Sequence, residues 1–103
     1  MLIERNEFRI KFGKMKDAKA VWLEIIKQSK PDDSEVKIRL LTDLTGPAYT
    51  LVLEIELKDF EQLGLQMQKC VLKSNSRVTE LYRQFAEICE SSERILYNVE
   101  YHD

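Results

Sequence analysis

Residues able to do nucleophilic or metal chemistry are scarce in this chain, which holds one histidine, His102, and two cysteines, Cys70 and Cys89. A zinc site or a redox motif needs several such ligands at short spacing, and no C-x-x-C pair occurs. A site with two or three histidines is excluded within one chain. His102 stands next to the last residue of the sequence, where side chains are least ordered, and reads as an exposed tail residue. Cys70 and Cys89 fall on or beside apolar positions of helix-like segments. Buried, unreactive thiols are therefore expected rather than a Cys-His nucleophile. No G-x-x-x-x-G-K-[ST] or G-x-G-x-x-G pattern is present, which removes the usual phosphate-binding loops. No metal and no cofactor are expected.

Two further groups have chemically useful spacing. Glu54 and Glu56 lie two apart in a strand-like run, hence on one face, where cross-strand ion pairs with Arg9, Lys11 or Arg39 suit them better than acid-base work. Large apolar side chains form the second group: Phe8, Trp22, Phe60, Met67, Tyr82, Phe85 and Tyr97, all expected between helices and sheet. At helical and strand spacing they read either as packed core or as the lining of an apolar cleft for a flat hydrophobic molecule. A tyrosine hydroxyl would be the polar handle of such a cleft.

The elements that must position these residues follow from periodicity. Residues 2–12 alternate, with Phe8, Ile10 and Phe12 opposite Arg5, Glu7, Arg9 and Lys11, the pattern of a half-buried strand. From Met15 the apolar positions become Ala18, Val21, Trp22, Ile25 and Ile26, a helix ending near Ser29. Pro31, Asp32 and Asp33 mark a turn. Strands over 35–44 and 48–57 flank "TGP", so they pair as a hairpin, with Gly46 and Pro47 serving the reversal rather than a ligand. Asp59 is placed to cap a helix carrying Phe60, Leu63, Met67 and Val71. Another helix spans about 76–90, and a last strand spans 94–101 with Ile95, Tyr97, Val99 and Tyr101 on the core face. This order predicts an α+β, ferredoxin-like split βαβ sandwich: a four-stranded antiparallel sheet with its helices on one face. Residues 1–103 form one domain on this reading.

Composition agrees with a folded domain, at 44% hydrophobic and 33% charged residues. The 16 basic and 18 acidic side chains give a net charge of −2 and are interspersed, so neither nucleic acid nor an anionic membrane is an expected partner. The start of the sequence alternates charged and apolar residues, unlike a signal peptide, and no run approaches the roughly 20 apolar residues of a membrane span. A cytoplasmic location is expected.

The sheet face away from the helices is not wholly polar. Ile3, Leu41, Val52 and Leu96 fall among Arg39, Glu54 and other charges of both signs, an apolar centre with a charged rim. That is the anatomy of an interface, and a homodimer through this open face, burying about 800 Å² per subunit, is expected. The element order and the stretch "LTGPAYTLVLEIELKDFEQL" resemble the dimeric α+β barrel superfamily, and most of all its NIPSNAP-like group. The resemblance implies two ferredoxin-like subunits packed sheet to sheet, and leaves three functions open. One is a dimer with an apolar ligand pocket and no assigned activity. Another is a cofactor-independent monooxygenase acting on a quinol or polyketide-like aromatic, and the third is a non-catalytic dimerisation or regulatory module. Haem-degrading members use a helix histidine with a tryptophan and an asparagine. Trp22 and Asn6 are present here, but no helix carries a histidine, which argues against that activity.

Overall fold

Alternating side chains in Leu2–Ile10 make β1, the strand around which everything else is arranged. The computed structural model describes residues 1–29, 36–64 and 76–103. In chain order these form β1, α1 (Met15–Ser29), β2 (Lys37–Thr42), β3 (Thr50–Leu57), α2 (Ser76–Ile88) and β4 (Cys89–Asn98). Residues 60–64 are helical as well. The sheet has the order β2-β3-β1-β4, and every neighbouring pair is antiparallel. This is the ferredoxin-like α+β arrangement, with β1 and β3 in the middle and the helices on one face. The turn expected at Pro31 to Asp33, together with Met67, Cys70 and Val71, lies outside the described residues.

The helices form where the spacing places them. In α1, Ala18, Trp22 and Ile25 stand four and three residues apart and are all buried; in α2 the same stripe is Val78, Leu81 and Phe85. Their inward faces meet Ile10, Leu51 and Leu53 of the sheet in one core cluster, while Leu2, Val36 and Leu57 form a second cluster at the other end of the strands. The helical turn after β3 is capped as expected. Asp59 Oδ1 accepts from the Gln62 N–H at 2.9 Å, satisfying a free donor of the helix start, and Gln62 Oε1 reaches back to accept from the Lys58 N–H, just before the cap, at 2.5 Å.

The Thr-Gly-Pro stretch is the turn of the β2–β3 hairpin. Gly46 has a φ of 105°, a left-handed conformation that suits a residue without Cβ, and Tyr49 holds a φ of 63° just before β3. Asp43 and Thr50 close the loop through N–H···O bonds of 3.1 and 3.0 Å, one to backbone and one to the Asp43 carboxylate. The Arg9 guanidinium donates to the Ala48 carbonyl at 3.0 Å, tying the loop to β1.

Two expectations about β4 are corrected. It begins at Cys89, directly after α2, rather than at Arg94, and ends at Asn98. Its register pairs Ile3 with Tyr97, Arg5 with Ile95 and Glu4 with Leu96. Because Glu4 shares the helix side with Leu2 and Phe8, Leu96 faces the helices, whereas Ile95 and Tyr97 lie on the open face. Leu96 therefore leaves the expected interface set, and Tyr97 leaves the expected ligand set. β4 is an edge strand with apolar residues on both sides, so alternation alone left its orientation undetermined; pairing with β1, which slips register between Arg9 and Ile10, decides it.

Candidate functional site

Of the aromatic residues singled out above, four converge. Phe8 of β1 stacks on Trp22 of α1 with ring centroids 5.5 Å apart, and Phe85 of α2 meets both edge-on at 4.9 and 5.4 Å. Tyr82, one turn before Phe85, packs edge-on against Trp22 at 5.8 Å. Offset and edge-on contacts of this kind add to the burial of the rings. Phe60 takes no part: it is 70% exposed, because the Asp59 cap sets the first helical residue after it on the outer side of the turn. Tyr97 lies through the sheet on the opposite face, and Met67 is outside the described residues.

Phe8, Trp22 and Phe85 close on one another as core, Tyr82 covers their edge while staying 42% exposed, and Phe8, Tyr82 and Phe85 border a recess of about 410 Å³. Phe8, Tyr82 and Phe85 make its apolar side, and Cys89, Glu90, Ser91 and Ser92 at the start of β4 make its polar side. Burial, and to a smaller extent the adjacent Glu90 carboxylate, pushes the Cys89 thiol up from its ordinary pKa against an opposing backbone hydrogen bond at Ser91, and its S–H donates to the Ser91 carbonyl at 3.2 Å; the group stays a neutral thiol rather than a thiolate nucleophile. Trp22 is 6% exposed, and its indole N–H has no acceptor among the described residues. A buried donor left unpaired costs about 1–3 kcal/mol.

A polar group on the helix side of the sheet had no counterpart in the sequence reading. Asn6 Nδ2 and Arg94 Nε converge on Glu4 Oε1 at 3.2 and 2.9 Å. Its one sequence signal was that Glu4 and Asn6 interrupt the otherwise apolar series Leu2, Phe8 and Ile10. Their mutual bonding accounts for their burial.

The open face carries the other concentration of features. Strand register lays it out as a grid across β2, β3, β1 and β4. The first row is Lys37, Glu56, Ile3 and Tyr97; the second is Arg39, Glu54, Arg5 and Ile95; the third is Leu41, Val52, Glu7 and Glu93. Glu54, only 5% exposed, binds Arg5 Nη2 at 3.0 Å and also Arg39. Burial alone would push its carboxyl up, but the two guanidiniums outweigh it and hold the pKa below the ordinary value. Arg5 in turn lies over the Tyr97 ring at 5.5 Å, and its Nε is buried without an acceptor. Glu56 pairs with Lys37 at 3.9 Å. The expected strand-to-strand pairing of Glu54 and Glu56 thus holds, with Arg5 and Lys37 in place of Arg9 and Lys11. Beside the third row, the hairpin loop rises over the face and bounds a groove of about 770 Å³ between Leu44 and Pro47 on one side and Leu41, Val52, Glu7 and Glu93 on the other.

His102 lies exposed in the tail with Nδ1 3.3 Å from the Asp103 carbonyl. Among the described residues no group of three or more His, Cys, Asp or Glu is placed to hold a metal ion, and no helix is long and apolar enough to cross a membrane.

No protein-family model matches the sequence, and neither does any curated protein. Solved structures match the fold over nearly its whole length. An uncharacterized NIPSNAP domain protein from Burkholderia xenovorans is 17% identical, with 100% of this chain and 99% of that one covered and a TM-score of 0.76. A NIPSNAP family protein from Agrobacterium tumefaciens is 17% identical over 94% and 90% of the two chains, with a TM-score of 0.77. A mutant of SnoaB, a cofactor-independent oxygenase from Streptomyces nogalater, is 12% identical over 98% and 94%, with a TM-score of 0.71. At these identities the likeness is one of fold, and it agrees with the resemblance to α+β barrel proteins read from the sequence.

Proposed function

We propose that this chain acts as a homodimeric binding protein that pairs the open faces of two sheets and receives a flat apolar molecule at the recess beside Phe8, Tyr82 and Phe85. The open face carries the reading. Leu41 and Tyr97 are 40% and 43% exposed there, Ile3, Val52 and Ile95 are half-buried, and a carboxylate is already withdrawn from solvent among them. A face that holds a buried carboxylate under two arginines and unfilled apolar positions has the composition of an interface centre. Within the interface set expected from the sequence, Ile3, Arg39, Leu41, Val52 and Glu54 all lie on this face.

Sedimentation of the wild-type chain at micromolar concentration should give a dimer. Val52→Asp should give a folded monomer, since the change sets an unpaired carboxylate in the centre of the contact. A wild-type monomer, or a Val52→Asp dimer of unchanged affinity, defeats the proposal.

A second reading, oxygenation of an aromatic substrate without a cofactor, is favoured by an aromatic-lined recess whose Phe8 stacks on Trp22, an indole with no acceptor for its N–H among the described residues, and by the fold shared with SnoaB. Oxygen uptake with dihydroxy-aromatic compounds, lost on Trp22→Phe, is its signature. Binding of the same compounds without uptake leaves the binding protein as the function.

A further inference from the structure

The grid of the open face has a symmetry of its own. Its apolar members run diagonally, with Leu41 and Val52 at one corner and Ile95, Ile3 and Tyr97 at the other. The Glu54–Arg5 ion pair sits between them. On one side of this diagonal stand Lys37 and Arg39, with side chains 75% and 61% exposed. On the other side stand Glu7 and Glu93, directly opposite each other in the β1–β4 register, with no ion pair among the described residues. Like charges facing across an antiparallel pair are unfavourable, so the monomer carries this acidic pair as an uncompensated cost. The basic side is in surplus by one charge, because Lys37, Arg39 and Arg5 share two carboxylates, Glu56 and Glu54.

We infer that the dimer twofold axis runs along this diagonal, so that the Glu7–Glu93 pair of each copy receives the Lys37–Arg39 corner of the other. This rests on the sheet-to-sheet dimer proposed above and specifies its geometry. With strands about 4.8 Å apart and same-face residues about 6.8 Å apart along a strand, the two charged corners are separated by 2.5 strands and 1.5 steps. The line midway between them passes close to Glu54 and runs about 40° from the strands. A twofold axis on that line makes the two sheets cross at about 80°, the orthogonal class of sheet packing. It also sets Leu41 and Tyr97 nearly on the axis, each facing its own counterpart, and covers them with apolar surface. An axis along the strands or square to them would instead leave the acidic pair facing uncharged positions or its own image. The groove under the hairpin loop has the matching chemistry: Leu41 and Val52 can take the aliphatic stem of an entering lysine or arginine while Glu7 and Glu93 meet its charge.

The test is charge reversal followed by mixing. One variant carries Glu7→Lys and Glu93→Lys. The other carries Lys37→Glu and Arg39→Gln, the glutamine keeping a donor for Glu54. Each alone should weaken its dimer by about tenfold or more, and the equimolar mixture should form mainly the mixed dimer, read by native mass spectrometry. Circular dichroism melting confirms that each variant folds, and if the lysine variant does not, Glu7→Gln with Glu93→Gln replaces it. In that form, relief of the like-charge contact should leave the monomer at least as stable as before while the dimer weakens. A wild-type dimer indifferent to these changes, or a mixture that stays homodimeric, overturns the diagonal axis and leaves the dimer standing. A wild-type monomer overturns both.

Discussion

The two faces of β3 differ in how they are closed. Leu51, Leu53 and Leu57 point to the helices and are at most 6% exposed, because a second layer of the same chain lies on them. Val52, Glu54 and Glu56 point the other way, and Glu54 reaches 5% exposure beneath two arginines alone. Burial by apolar packing gains the hydrophobic transfer energy. Burial under long charged side chains returns a carboxylate's lost hydration through ion pairs, and gains little beyond that. The helix side is a finished core, while the open side has the chemistry of a surface awaiting a second layer.

The sharpest way to test that contrast is truncation at adjacent residues. Leu51→Ala should cost about 3 kcal/mol in urea unfolding, since the fully enclosed site cannot collapse around the missing atoms. Val52→Ala, one residue on, should change monomer stability by less than about 1 kcal/mol. Equal losses at both positions would erase the distinction between the faces. Glu54→Gln should have a smaller effect than Leu51→Ala, about 2 kcal/mol, because it removes charge-assisted bonds to Arg5 and Arg39 but leaves both guanidiniums in contact with water. The smallest effect is in the acid limb. Glu54 has its folded pKa lowered from the ordinary 4.5, so its contribution is complete above that pH and fades as pH falls through the lower folded value. The urea midpoint of the wild type should drop in that window by more than that of Glu54→Gln; parallel profiles would mean that Glu54 gains nothing from its arginines.

Much of this contrast was legible beforehand. Period-two runs located β1, β2 and β3, and the i, i+3, i+4 spacing located α1 and α2, because each element buries one stripe and solvates the other. Asp59 announced its cap, and Gly46 its turn. Four of the aromatic residues expected together did meet: Phe8, Trp22 and Phe85 lie on the inward stripes of elements long enough to be unambiguous, and Tyr82, 42% exposed, reaches Trp22 from the edge of the α2 stripe. Phe60 did not, for it sits at the first turn of its helix, where a single residue's direction depends on the cap rather than on a stripe. β4 was misplaced because Ser91, Ser92 and Glu93 carry no alternation, and because Ile95, Leu96 and Tyr97 offer apolar residues to either face.

By itself the sequence determined the order of elements, the inward stripe of each long one, the hairpin turn, and the scarcity of nucleophiles and ligands. These are local properties, set by side-chain periodicity and backbone preference within a few residues. Only the tertiary structure decided the face on which β4 presents Tyr97, the sharing of Glu54 by Arg5 and Arg39, and the convergence of Asn6 and Arg94 on Glu4. Each depends on register between strands distant in the chain, where a shift of one residue exchanges the two faces and no local preference opposes it.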